Sequence, residues 1–342
     1  MNCENKEIAD ALRHEIIMLQ SDRLVKLESE RKLEQRLKVG RQRIREVISQ
    51  LVSEGLLIKY EGKGTYIAPL VKNEFVNIIC SPDIKLNDPF YNRMLMELTG
   101  YSAKNSVNMI PLTMDTLENG DIISPVLMIG KFAEEHLEKI KKAYSQIISF
   151  ENYPDDDDFV QIYFDHFKIG MNAAKVLAAY GHMKVIHITG PASFASALYR
   201  KDGFIRGAIK NGMEYTVLES KMNFAGGYSL GDEVAELVSQ EQYTAIFAAN
   251  DWMAIGLIQA LRTKGLEVPD YVSLLSVDNI PLAGQFAPAL TTYSLDANMV
   301  IAECFSLMNT ARTSQKEKHF QKRVILQPVL ITRDTLKKTG NR

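Results

Sequence analysis

The sequence predicts an α/β protein in two parts: a winged helix-turn-helix over residues 1–69 and, after a linker at 70–75, a two-lobed α/β domain over residues 76–336. Three observations predict it. Residues 31–45 concentrate positive charge ahead of an amphipathic helix and two short strands. From residue 76 onward, apolar strand-like runs alternate with helix-length amphipathic segments, the pattern of parallel sheets covered by helices on both faces. About 270 residues lie beyond the linker, more than one lobe of ordinary size holds.

The N-terminal unit is read from charge and periodicity. Between Arg31 and Arg45 there are seven basic residues (Arg31, Lys32, Arg36, Lys38, Arg41, Arg43, Arg45) and one acid, Glu34, in a chain of net charge −2. Such a local excess is an electrostatic footprint for phosphates. Ile44, Val47, Ile48 and Leu51 fall at i, i+3, i+4 and i+7 and make one apolar helical face, with Gln42, Arg45 and Ser49 opposite and Arg41 and Arg43 flanking the first turn. A helix held by that stripe offers its polar N-terminal end to a major groove, where Arg pairs with guanine and Gln with adenine. Alone, the pattern is equally that of a solvated basic helix.

The residues after the helix decide between those readings. Leu56–Tyr60, a turn at Glu61-Gly62-Lys63-Gly64, and Thr65-Tyr66-Ile67 form a hairpin with a lysine at its tip. Glycine on each side of Lys63 lets the backbone approach a sugar-phosphate chain closely.

The basic character stops at the linker. Residues 1–71 hold 13 Lys/Arg against 11 Asp/Glu, and the remainder holds 27 against 31, so the large domain is not a nucleic-acid surface. Three well-separated cysteines (Cys3, Cys80, Cys304) fit neither a disulfide framework nor a zinc site and suit a reducing cytoplasm. No apolar run approaches the ~20 residues of a membrane span, and the first residues lack a charged-then-apolar signal, so neither a membrane nor export is expected.

In the large domain, Val76–Cys80, Val126–Ile129, Ile147–Phe150, Val160–Phe164, Val185–Thr189, Ala245–Ala248 and Val272–Val277 read as buried strands. Ligands of doubly wound sheets sit beyond the carboxyl ends of strands. There stand Asp165, Asn250-Asp251 and Asp278-Asn279, with Arg200 early in the helix after Gly190-Pro191. Carboxylates, an amide and a guanidinium fork match paired sugar hydroxyls, and Phe90 and Phe224 are candidates to cover the apolar face of a sugar ring. For any single Asp at a strand end, a helix cap is the better reading.

Two resemblances rest on these residues. Ser29-Glu30-Arg31, Val39-Gly40-Arg41, Ile44-Arg45, Leu51-x-x-Glu54-Gly55-Leu56 and Gly62-Lys63-Gly64-Thr65 resemble the GntR family of bacterial regulators over about the first seventy residues. That resemblance implies DNA contacts from Ser29, Arg31, Arg41, Gln42, Arg43, Arg45, Lys63 and Gly64. Glu28, Lys32, Gly40 and Arg43 depart from the family's usual Pro, Glu, Ser and Thr. Tyr180-Gly181-His182, Gly190-Pro191, Arg200-x-x-Gly203-Phe204, Ala249-Asn250-Asp251, Gly265-x-x-Val268-Pro269, Val277-Asp278 and Pro288-x-Leu290-Thr291-Thr292 resemble LacI/GalR effector domains, which have the type I periplasmic-binding-protein-like fold. This implies ligand contacts at Arg200, Asn250, Asp278, Phe90 and Phe224. It also implies a contact or hinge at Asp165, lobe crossovers near 165, 292 and 323, and a final strand with an Arg motif over Leu326–Thr335. Leu295 replaces a common Gln, and Trp252 is unusual after Asn250-Asp251. Joined, the two parts resemble the arabinose-repressor group, which implies a homodimeric, sugar-responsive repressor on a pseudo-palindromic double-stranded operator. A phosphosugar or purine co-repressor is the alternative.

Enzyme chemistry has no support. The six histidines show no metal-ligand spacing, and neither a P-loop, a Gly-x-Gly-x-x-Gly after a strand nor a Gly-x-Ser-x-Gly elbow occurs, so no catalytic residue, metal or cofactor is expected. Gly226-Gly227 reads as a turn before a helix, Asp155–Asp158 as a solvated loop, and His182 and His187 as structural residues beside a buried strand. A plain solute-binding protein has no use for residues 1–71.

Overall fold

The computed structural model describes residues 3–19, 25–54, 56–60, 64–68, 74–85, 88–120, 124–313 and 323–339. The chain divides between Asn73 and Glu74 into two compact units. In the first, α1 (Cys3–Leu19), β1 (Val25–Lys26), α2 (Glu30–Leu37), α3 (Arg41–Ser53), β2 (Leu57–Tyr60) and β3 (Gly64–Ile67) enclose one apolar core. The stripe read from the sequence is its centre: Ile44, Val47, Ile48 and Leu51 are buried against Leu33 of α2 and Ala9, Leu12 and Ile16 of α1. The strands pair antiparallel in the order β1-β3-β2, with Leu57 opposite Ile67 and Tyr60 opposite Gly64. Lys38, at φ +54°, closes α2 in the left-handed region, and Gly40 opens α3 without a side-chain cap.

The second unit starts with β4 (Glu74–Cys80), α4 (Pro89–Lys104), β5 (Val107–Leu112), β6 (Val126–Ile129), α5 (Glu134–Ala143), β7 (Ile147–Ser149) and β8 (Val160–Phe164). Then α6 (His166–Ala179) leads into β9 (Lys184–Thr189), α7 (Ala195–Lys210), β10 (Glu214–Glu219), α8 (Phe224–Ser229) and α9 (Gly231–Gln240). After these come β11 (Ala245–Ala248), α10 (Asp251–Arg262), β12 (Ser273–Asp278) and β13 (Thr291–Ser294). Finally α11 (Ala297–Thr313) precedes β14 (Arg323–Leu326) and β15 (Val329–Ile331). Two six-stranded sheets result, β14-β8-β7-β6-β4-β5 and β10-β9-β11-β12-β13-β15, parallel throughout except for β13 against β15. The chain changes sheet after Phe164, after Ser294 and between Leu326 and Val329.

All seven strand segments expected from the sequence are present. Three more, β5, β10 and β13, were not anticipated. β5 and β10 are sheet edges, so they are only half buried and lack the continuous apolar run that marks a central strand. The final strand expected over Leu326–Thr335 is present as β15, in the second sheet; β14, just before it, was also not anticipated and joins the first sheet, because the chain crosses lobes between them.

Two close helix approaches set the site. A Cβ on Gly170 would lie 2.1 Å from the Arg200 carbonyl oxygen, and one on Gly203 2.0 Å from that of Phe167, so α6 and α7 meet backbone to backbone. A Cβ on Gly227 would lie 1.9 Å from the Met253 oxygen, and one on Gly256 2.0 Å from that of Phe224. Gly226-Gly227 is therefore no turn before a helix: both glycines are buried inside α8, where a side chain on Gly227 would meet α10 and one on Gly226 the backbone of Lys221.

Candidate functional site

In the first unit the polar face of α3 is exposed, with Arg41, Gln42, Arg43 and Arg45 all at the surface together with Arg31 of α2. Glu30 gathers two of them. Its Oε2 accepts from Arg45 Nε at 2.9 Å and Arg41 Nε at 3.2 Å, and these bonds hold its carboxyl below the usual range, Arg45 contributing most. The charge of residues 31–45 therefore overstates the free charge: Glu28 and Glu15 likewise take Arg36. Gln42 donates to Glu46 at 3.4 Å. Ser29 caps α2, accepting from Lys32 N at 3.4 Å, a long bond consistent with the lost capping-box Glu. Gly64 opens β3 at φ +109°, a conformation that favours glycine, while Lys63 lies outside the described residues.

In the second unit a cleft of about 780 Å³ opens at the carboxyl ends of both sheets. Phe90, Arg200, Phe224, Asn250 and Asp278 all line it. Each is positioned by local structure. Asp88 caps α4 through the amides of Phe90 and Tyr91, which sets Phe90 at the rim, and the α6–α7 contact carries Arg200. The α8–α10 contact presents Phe224 beside Trp252, ring centroids 5.5 Å apart. Asn250 accepts from Met253 N and donates to Met222 O, so one amide hydrogen and one lone pair remain for a ligand. Its neighbour Asp251 has no such role: fully buried, it accepts from Ser276, Thr292 and the amide of Ile280, tying β12, β13 and the loop between them together.

Arg200 and Asp278 are the unusual pair. Arg200 is 3% exposed, its Nε has no partner, and one terminal nitrogen meets only the Met222 sulfur at 3.8 Å. Asp278 is 7% exposed at φ +115°, a backbone conformation that costs an L-residue and clusters at functional sites. Burial first, and then the charge of Asp251, push its carboxyl well above the usual range, while Arg200 pulls it back. Because Asp251 already holds three donated hydrogen bonds, Asp278 is the carboxyl that takes up the proton.

Asp165, expected as contact or hinge, lies outside this cleft. It caps α6 through Lys168 N at 2.9 Å and lines a separate, smaller cavity, the bland reading of a strand-end Asp. Conversely, the first-lobe wall holds Ser81, Lys131 and Glu151, which the sequence reading did not single out. Each follows β4, β6 or β7 by one or two residues, so the strand-end rule applied to the first lobe finds them. Glu151 accepts from Tyr91 Oη at 2.9 Å, and Lys131 Nζ sits 3.8 Å from the centre of the Tyr153 ring. Leu295 and Trp252 also line the cleft.

His182 bonds Thr244 and Lys337 O, and His187 bonds Phe247 O; both are buried structural groups. Among the described residues no cluster of His, Cys, Asp or Glu is arranged to hold a metal, and no helix is long and apolar enough to cross a membrane.

A helix-turn-helix unit with a two-stranded hairpin, followed by a two-lobed domain with a ligand-sized cleft, is the architecture of a transcriptional regulator with a small-molecule sensor. More particularly, residues 4–67 match the model of "Bacterial regulatory proteins, gntR family" and residues 174–336 that of "Periplasmic binding protein-like domain"; the chain joins a GntR-type DNA-binding domain to a LacI-like effector domain. It is similar to the HTH-type transcriptional regulator DegA of Bacillus subtilis (25% identical over 273 residues, 78% of each chain). It is also similar to the HTH-type transcriptional repressor PurR of Pasteurella multocida, 27% identical over 249 residues, covering 70% of this chain and 73% of that one. Among solved structures, a LacI family regulator from Enterococcus faecium with bound ribose superposes with a TM-score of 0.66 at 18% identity, over 77% of this chain and 99% of its own.

Proposed function

We propose that this regulator is a repressor of sugar-utilisation genes, present in the cytoplasm as a homodimer, whose operator affinity is set by a small uncharged sugar held between the lobes. The observation that carries it is the buried guanidinium of Arg200, whose Nε has no partner, lining the same cleft as Asp278 and the aromatic groups Phe90, Phe224 and Trp252. Such groups are costly without a ligand that both donates and accepts, as paired hydroxyls do. Charge gives a phosphosugar little advantage: with Asp278 protonated, Asp83, Asp88 and Glu151 still offset three of the four cations Lys85, Lys131, Arg200 and Lys221 among the described lining residues. Structural neighbours crystallised with ribose, D-xylulofuranose and lactose agree with that class. Sugar binding favours lobe closure, repacks the dimer and alters how two winged helices meet the half-sites of a pseudo-palindromic operator. Base contacts come from Arg41, Gln42, Arg43 and Arg45, and phosphate contacts from Ser29, Arg31, Lys63 and Gly64.

The test uses Trp252, the chain's only tryptophan. Full-length protein is titrated with pentoses, hexoses and galactosides, then phosphosugars and purines. One uncharged sugar gives a saturable fluorescence change, and Asp278→Ala abolishes it while operator binding persists. Since Asp278 already carries a Cβ at φ +115°, Ala adds no backbone strain. A response confined to phosphosugars or purines replaces the reading with an anionic co-repressor, and an intact response in Asp278→Ala moves the site.

A further inference from the structure

One side chain of the first lobe reaches across to the strand end that carries Asp278. Arg93, on α4, donates from Nη1 to the Asn279 carbonyl oxygen at 2.8 Å, and Asn279 follows β12 of the second lobe. Glu97, one turn further along α4, lies 3.8 Å from Arg93 Nε and steers the guanidinium. Phe90, one turn before Arg93 on the same helix face, packs against the apolar core of the second lobe and lines the cleft. The first turns of α4 therefore rest on the opposite lobe through a ring and a charge-assisted hydrogen bond.

The receiving end is fixed to its own lobe. Asn279 Oδ1 accepts from Arg333 Nη2 at 2.7 Å, and its Nδ2 donates to Ser294 Oγ at 3.2 Å, so the side chain is tied to the second sheet while the carbonyl turns to the first lobe. Asp278 at φ +115° and Asn279 at φ +55° are consecutive residues with positive φ. Such a bend costs free energy and persists only where neighbours over-determine it. Arg93 is the neighbour that comes from the other lobe. We propose that Arg93 is a positioning residue for the cleft: its bond to Asn279 O latches the lobes together and fixes the bend that carries Asp278. This deepens the reading of the cleft as the effector site and rests on it. Opening the lobes breaks the bond and releases the bend, so the placement of the acid depends on closure. A ligand that needs Asp278 in this place binds the closed arrangement better, which is the differential affinity that ligand-driven closure requires.

Acrylamide quenching of Trp252 in the full-length chain, with no ligand present, tests it, because Trp252 is half-buried and lines the cleft. Arg93→Met keeps the apolar stem and removes the donor, and it is expected to raise the quenching constant about twofold. Arg93→Lys returns most of that rise, since a single bond to a carbonyl, unlike a bidentate fork, needs only one cationic donor. Hydrogen exchange over residues 279–286 is expected to accelerate in Arg93→Met while the edge strand β10 keeps its wild-type rate. A general loss of packing would speed both regions and would not respond to lysine. Unchanged quenching in Arg93→Met, or a lysine variant that behaves like the methionine one, overturns the latch. Unchanged exchange at 279–286, or equal acceleration in β10, overturns the hold on the bend. None of these readouts uses a sugar, so their failure is distinct from failure of the effector reading, which the titration and Asp278→Ala decide.

Discussion

At the scale of single residues, each important side chain is defined by what it lacks or shares. Arg45 shares Glu30 with Arg41, so its worth to DNA is the difference between a guanine contact and that exposed ion pair. Arg45→Ala is expected to weaken operator binding by ~1–3 kcal/mol and to relax discrimination at one base pair. Fluorescence anisotropy with the operator and its single-base variants reads this out, and unchanged affinity would mean that α3 does not read DNA. His187 is defined by burial, which lowers it from 6.5 to about 4 and outweighs its bond to Phe247 O. The folded state then keeps it neutral while the unfolded chain protonates between pH 6.5 and about 4. Stability from this group is therefore complete above pH 6.5 and declines as pH falls, by up to roughly 3 kcal/mol. Urea denaturation of His187→Gln at pH 7.5 and 5 should show a shallower acid loss than the wild type; an identical slope would assign the loss to other groups.

At the scale of elements, glycine decides where function sits. Arg200-x-x-Gly203 was legible as a motif, but its cause is the passage of α7 against the Phe167 carbonyl of α6. Gly203→Ala forces these helices apart, with an expected cost of about 1–3 kcal/mol, and draws Arg200 out of register. Effector affinity should fall further than stability alone explains, as paired melting and Trp252 titrations would show. A loss of stability with unchanged affinity would separate the helix contact from the site. Central strands such as Val126–Ile129 were readable because burial on both faces demands an unbroken apolar run. Edge strands β5 and β10 were not, because half-exposed positions admit Asn, Pro, Glu and Thr.

At the scale of the whole molecule, the expected assembly is a dimer formed through the second unit, which by itself contains both sheets and the cleft. Sedimentation of residues 74–342 should give a dimer at micromolar concentration, and a monomer there would place the two-fold contact elsewhere. Local patterns in the chain determined the DNA-reading helix, its hairpin, the alternating strands and five of the six expected cleft residues. Each of those depends on periodicity, a short motif or the end of a strand, and all three are written within a few residues. Only the tertiary structure decided that Asp165 caps a helix outside the cleft, that Glu151 and Lys131 join from the other lobe, and that Arg200 and Asp278 lie buried without full partners. Burial and pairing belong to residues distant in sequence, and no window of the chain contains both sides of a cleft.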